Sequence, residues 1–160
     1  MKTLVIGLGS PLLADDSVGL KAAAVLRERL RGRADVDVEE DVRGGLHLME
    51  RMVGYDRAIV VDAIVTGAAP GTIHRLVPGD IPTQRSASAH DVNLPTALEL
   101  GRAAGIHLPA MEDILLVGIE ADDILTFSET CTPPVAAAIP RAVEVVLAAL
   151  EERGACDGLA

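Results

Sequence analysis

The chain has 160 residues, of which 49% are hydrophobic and 1% aromatic, and it carries a formal net charge of −10. This length suits one domain that buries about 70% of the surface exposed by the unfolded chain. With so few aromatic side chains to stack on bases and so much negative charge, we expect no nucleic-acid or membrane partner. We expect a monomer or a weak oligomer.

Cysteine use and the N-terminal sequence favour a cytoplasmic protein. Cys131 and Cys156 lack metal-ligand spacing, and a domain of this size needs no disulfide. The N-terminus lacks the long apolar segment of a signal peptide. No run of the sequence approaches the ~18 uninterrupted apolar residues of a membrane span.

Apolar strands alternate with amphipathic helices along the chain, which is typical of βαβ units around a parallel sheet. We predict an α/β fold, a single-domain three-layer α/β/α sandwich with a mostly parallel, about five-stranded twisted sheet. The most apolar strand is predicted to be central, and the fourth is expected to run antiparallel after a short link. The predicted strands are 4–8, 36–40, 58–62, 72–76 and 113–119, and the predicted helices are 17–31, 44–52, 91–105 and 133–153.

The boundaries of the domain follow from the same pattern. Residues 1–153 are predicted to form the single domain, and residues 154–160 a disordered tail. Residues 78–89 have no apolar periodicity and form a predicted loop, and loops of that length inside compact domains are often functional.

The turn after the first strand resembles a phosphate-binding loop only in part. Gly7-Leu8-Gly9 comes at the end of that strand, but Leu12 occupies the position of the third glycine and Pro11 interrupts the loop. A tight strand-to-loop turn is the simpler interpretation. Nucleotide binding is the least favoured alternative, because the acids beside the turn would repel phosphate.

Carboxylates follow two of the predicted strands. Asp15 and Asp16 come after the glycine turn, and Asp62 ends the most apolar strand. Aspartate is a preferred N-cap, so we predict that Asp15 caps the following helix and leaves Asp16 facing the cleft. Because the carboxyl ends of parallel strands meet at one edge of a sheet, we expect Asp16 and Asp62 to lie together there.

One of the four histidines is placed to join these acids. His90 follows the serine-rich segment RSASA and precedes a predicted helix. Asp16, Asp62 and His90 together offer two carboxylates and an imidazole, which suit Ni, Zn or Mn. Three donors from separate segments hold a free metal weakly, but they can recognise one already bound to another molecule. The zincin and serine-hydrolase motifs are absent from the sequence.

In these motifs the chain resembles the hydrogenase maturation proteases. The resemblance implies an endopeptidase that removes the C-terminal extension of a [NiFe] hydrogenase large-subunit precursor after nickel insertion. It also implies that Asp16, Asp62 and His90 are the catalytic, metal-contacting residues, and that the substrate supplies the nickel. The matching segments are GLGSPLLADDSVGL (7–20), IVVDAI (59–64), APGTI (69–73), SAHDVNLPTAL (88–98), LLVGIE (115–120) and TPPVAAAIPRAVEVVLAAL (132–150).

The chain departs from the family pattern in two places. Ser10 and Ser17 stand where many members have Asn and Gly, which leaves both acids in place. Arg43-Gly44-Gly45 replaces a Gly-Thr arrangement in a loop that lies near the substrate in the family, so it bears on substrate identity. A non-catalytic nickel metallochaperone or docking module, using the same three donors, is the main alternative.

Overall fold

The computed structural model of the protein describes residues 1–78 and 94–157. A five-stranded sheet has the order β2-β1-β3-β5-β4. Strands β1, β2, β3 and β5 are parallel, and β4 is antiparallel to β5. The elements are β1 (Thr3–Leu8), α1 (Val18–Arg29), β2 (Val36–Asp41), α2 (Gly45–Arg51), β3 (Arg57–Ile64), β4 (Ile73–Leu76), α3 (Leu94–Ala103), β5 (Ile114–Glu120) and α4 (Pro133–Asp157), with short 3-10 helices at Ala14–Ser17 and Met111–Asp113.

Two helices cover each face of the sheet, which confirms the predicted three-layer sandwich. Alternate residues of a strand point to opposite faces, and β1 shows this directly. Val5 packs with α1 and α4, whereas Leu4 and Ile6 pack with α2 and α3. The prediction that the most apolar strand is central is confirmed for β3, as is the antiparallel direction of β4.

The ends of the elements differ from prediction by a few residues. Strand β3 continues two residues past Asp62, to Ile64. Helix α4 runs to Asp157, so four residues of the tail predicted to be disordered are helical instead. A single glycine in a helix costs only about 1 kcal/mol relative to alanine, which explains why Gly154 does not end α4. The predicted loop lies almost wholly outside the described residues, as do residues 158–160.

Helix α4 is a core helix. Its length and composition alone would be compatible with a membrane span, but its apolar face is buried against the sheet and α1. Its fully buried side chains include Val135, Ala138, Ala142, Val146 and Ala149.

Two glycines allow α1 to lie directly on the sheet. A Cβ atom on Gly19 would overlap the backbone carbonyl oxygens of Leu8 and Val61, and one on Gly7 would overlap the carbonyl oxygen of Gly19. The first turn of α1 therefore contacts the carboxyl ends of β1 and β3, backbone against backbone. Glycine at these positions serves close packing of helix and sheet.

We predict that Gly19→Ala destabilises the protein by more than about 3 kcal/mol, although alanine favours helices. The new methyl group meets two backbone carbonyls, which cannot move without separating α1 from the sheet. Gly44→Ala is the matched control, because Gly44 has open space around it and a negative φ. Urea denaturation of both variants checks this, and equal unfolding free energies would contradict the close-packing argument.

Candidate active site

Asp16 is positioned by the loop that joins β1 to α1. It lies in the short 3-10 helix Ala14–Ser17, and the chain folds back there so that the Ser10 N–H faces it. That N–H donates to the Asp16 backbone carbonyl at 3.2 Å and to its carboxylate Oδ2 at 3.1 Å. Gly9 has φ +150°, and a Cβ there would overlap the Asp16 carbonyl. The glycine turn thus sets the position of Asp16.

Asp62 lies near the carboxyl end of the central strand and is partly buried. Its Oδ1 accepts a hydrogen bond from the Ala63 N–H at 2.8 Å. Burial and the neighbouring negative charge of Asp16 raise the pKa of Asp62 to about 7, against the opposing effect of that hydrogen bond. Burial also raises the pKa of Asp16, which the Ser10 N–H partly offsets.

The structure therefore brings two sequence-predicted residues, Asp16 and Asp62, within electrostatic range of each other. Two carboxylates that raise each other's cost of ionisation are typical of general acid–base sites and of cation sites. A divalent cation would fit this pair, because its positive charge would offset the repulsion between the carboxylates. Carboxylate oxygens are common ligands of divalent cations.

His90, the third predicted residue, lies outside the described residues, so its place at the site stays a prediction. Within residues 1–78 and 94–157 there is no group of three His, Cys, Asp or Glu side chains able to hold a metal. The described part of the site thus contributes two donors.

Asp15 has a role that the sequence analysis assigned wrongly. Its side chain caps neither the short 3-10 helix nor α1. The fully buried carboxylate instead accepts hydrogen bonds from the N–H groups of Asp122 and Asp123, both at 2.9 Å, and of Thr132 at 2.7 Å. The Thr132 hydroxyl adds bonds of 3.0 and 2.8 Å. Burial would raise the pKa of Asp15, but these hydrogen bonds outweigh it and lower the pKa.

Glu120 is a buried acid that the sequence analysis did not single out. It ends β5 with 1% exposure and accepts a 2.8 Å hydrogen bond from the Thr66 N–H, and another from the Thr66 hydroxyl. His74 Nε2 lies 3.3 Å from the Glu120 Oε1. Burial would raise the pKa of Glu120, but the hydrogen bonds from Thr66 and His74 lower it. Glu120 ends an apolar strand, which is the same sequence pattern that singled out Asp62. Its hydrogen bonds with Thr66, however, give it a structural role, because they hold the turn after β3.

Comparison with known proteins agrees with this architecture. The model of the hydrogenase maturation protease family matches residues 21–149. The chain belongs to that family. It is 32% identical over 157 residues to the Hydrogenase 2 maturation protease of Escherichia coli K12, covering 96% of this chain and 93% of that one. It is 29% identical over 154 residues to the hydrogenase expression/formation protein HoxM of Azotobacter vinelandii, covering 94% and 73%.

A solved structure shares the whole fold. The hydrogenase maturating endopeptidase HybD from E. coli superposes with a TM-score of 0.82 at 33% identity, covering 96% of this chain and 94% of that one. The α/β fold and the family membership make this protein an endopeptidase of the hydrogenase maturation class. The metallochaperone and nucleotide-binding alternatives have no support among these relatives.

We predict unequal stability effects for the two adjacent acids. Asp15→Asn should lower the unfolding free energy by about 3 kcal/mol, because an amide NH₂ would face backbone donors that now share two carboxylate oxygens. Asp16→Asn should change it by less than about 1 kcal/mol, since only the Ser10 N–H bonds that carboxylate and a repulsive charge is removed. Chemical denaturation at pH 7 compares them, and equal losses would refute the distinction.

Asp62 should make stability depend on pH. Its folded-state pKa of about 7 exceeds the ordinary 3.8, so the folded protein binds more protons between those pH values and loses stability as pH rises through them. A full shift corresponds to about 4 kcal/mol, and partial exposure reduces the expected effect to about 2 kcal/mol. Asp62→Asn should therefore gain stability over wild type from pH 4 to 7 and hold that gain above 7. Denaturation at several pH values measures the gain, and a gain independent of pH would contradict this.

Proposed function

We propose that this protein removes the C-terminal extension of a [NiFe] hydrogenase large-subunit precursor after nickel insertion. It would sense the substrate-bound nickel through two carboxylates, Asp16 and Asp62, and the imidazole of His90. The observation that carries the proposal is the placement of two carboxylates at the carboxyl ends of neighbouring strands. Asp16 is held by the Ser10 N–H after β1 and Asp62 lies near the end of β3, where the charge of Asp16 raises the pKa of Asp62. The names of the relatives, hydrogenase maturation proteases, support the choice of substrate class.

Nickel belongs to the substrate in this proposal. The thiolates of the precursor hold the metal, and Asp16 and Asp62 add oxygen ligands where it has open positions. Two carboxylates and an imidazole from three segments form too weak a site to extract the metal. They suffice to hold the precursor with its scissile bond in the cleft.

Hydrolysis then requires an attacking water and a proton acceptor. Nickel held by the substrate would supply a Lewis acid to polarise the scissile carbonyl or activate the water, and a carboxylate of the pair would take the proton. The proton passes to the departing amide nitrogen as the peptide bond breaks. The raised pKa of Asp62 suits such a transfer near neutral pH, because an effective acid–base group titrates close to the working pH.

This arrangement makes nickel insertion a checkpoint for cleavage. A precursor without metal offers the acids no cation, so the repulsion between Asp16 and Asp62 remains and the scissile bond is not fixed. We also propose that the protein works in the cytoplasm, because the buried Cys131 is a free thiol, as is usual in a reducing compartment.

The test is cleavage of purified precursor, followed by mass spectrometry. We expect wild type to shorten the nickel-loaded precursor and to leave the metal-free precursor intact. Asp16→Asn, Asp62→Asn and His90→Ala should each reduce the rate at least about 100-fold. A non-catalytic metallochaperone would bind nickel stoichiometrically and leave the precursor mass unchanged.

The matched controls are Asp56→Asn and His107→Ala. This exposed acid and histidine lie 3.4 Å apart before β3 and β5, at the opposite edge of the sheet. Their variants should cleave like wild type. Equal cleavage of loaded and metal-free precursor, or full activity in the Asp16 and Asp62 variants, would refute nickel sensing by this site.

A further inference from the structure

Three large apolar side chains stand exposed beside the loop that carries Asp16. Leu12 is 51% exposed, Leu125 83% and Phe127 82%. Phe127 is the only phenylalanine of the chain, yet it lies outside the core. We call these three side chains the apolar rim. Single exposed apolar residues are common on proteins, but a cluster on neighbouring loops marks a contact surface.

The backbone holds the two halves of the apolar rim together. Leu13 and Ser128 form a parallel β-bridge, so the residues that precede them, Leu12 and Phe127, are neighbours. The Ser128 N–H donates to the Leu12 carbonyl, and the Ala14 N–H donates to the Ser128 carbonyl, both at 2.9 Å. The loop after β1 and the loop after β5 thus form one surface.

Hydrogen bonds fix the loop that presents Leu125 and Phe127. The Asp123 carboxylate accepts the N–H groups of Leu125 and Thr126, both at 3.0 Å. The buried Asp15 carboxylate fixes Asp122 and Asp123 in turn. An apolar surface held in place before binding loses little conformational entropy when a partner covers it. The apolar rim is therefore preorganised for contact.

The apolar rim adjoins the segment that carries Asp16. Leu12 and Asp16 belong to the same loop, and the Asp16 N–H donates to the Leu13 carbonyl at 2.9 Å. A polypeptide whose scissile bond lies at Asp16 and Asp62 would have its flanking residues within reach of this surface.

We propose that the apolar rim docks an apolar segment of the protein substrate that adjoins the scissile bond. This inference rests on the proposed function and adds the part of the substrate that is recognised without metal. The net charge of −10 would repel an acidic partner. Apolar contact gives an attraction that does not depend on the charge of the partner.

A second copy of this chain is a poorer occupant. Three side chains of this size offer about 500 Å² of surface, less than the roughly 800 Å² per partner of a standard stable interface. Two copies, each with a net charge of −10, would also repel one another. A substrate segment needs less area, because the carboxylate pair and the metal contribute to the same complex.

The test is the double variant Leu125→Ser/Phe127→Ser, assayed with nickel-loaded precursor. We expect KM to rise about tenfold or more while kcat stays within about twofold, because docking is lost and the reacting groups are untouched. The matched control is Val53→Ser/Ile106→Ser, two exposed apolar residues in loops at the opposite edge of the sheet. The control should keep the wild-type KM, and both double variants should keep the wild-type melting temperature.

An unchanged KM, or a loss confined to kcat, would overturn the docking assignment. The assignment would also be overturned if wild type formed a dimer in sedimentation, and the rim variant lost this dimer without a change in KM. If wild type cleaves no precursor, the proposed function fails, and binding of fluorescently labelled precursor then judges the rim. Weaker binding by the rim variant than by the control supports docking, and equal binding refutes it.

Discussion

The close packing of α1 on the carboxyl ends of β1 and β3 is the constraint on which the site depends. Because Gly7 and Gly19 have no side chains, helix and strand backbones meet directly. The short 3-10 helix before α1 then lies against β3, which brings the charge of Asp16 within range of Asp62. A methyl group at this contact would separate α1 from the sheet, and Asp16 from Asp62 with it.

Two adjacent aspartates in this loop have opposite environments and therefore opposite roles. Asp15 is fully buried, but its two oxygens accept hydrogen bonds from four donors, so its pKa is lowered and the charge is stabilised. Asp16 has one backbone N–H for its carboxylate and a raised pKa. The satisfied acid fastens the loop after β5, and the unsatisfied acid remains available for a ligand.

The sequence predicted what depends on local pattern and on strand direction. Periodicity gave the strands and helices, and the shared edge of parallel strands predicted that Asp16 and Asp62 meet. The sequence could not predict that Asp15 accepts a hydrogen bond from Asp122, which lies 107 residues away. No local pattern distinguishes an aspartate that caps a helix from one whose carboxylate faces another loop. The end of α4 was placed too early for a similar reason, since one glycine weakens a helix without ending it.

The carboxylate pair lowers the stability of the folded protein at neutral pH, since folding confines two acids that repel each other. The neighbouring Asp15 holds the same loop through hydrogen bonds from the segment after β5, which contribute stability that offsets this cost. Such a division is expected where a site must stay ready for a cation that arrives with its substrate. A pair whose oxygens were occupied by donors within the protein, as those of Asp15 are, would offer an incoming metal few free ligand atoms. In the proposed function, the charge at Asp16 and Asp62 would allow this fold to distinguish a loaded precursor from an empty one.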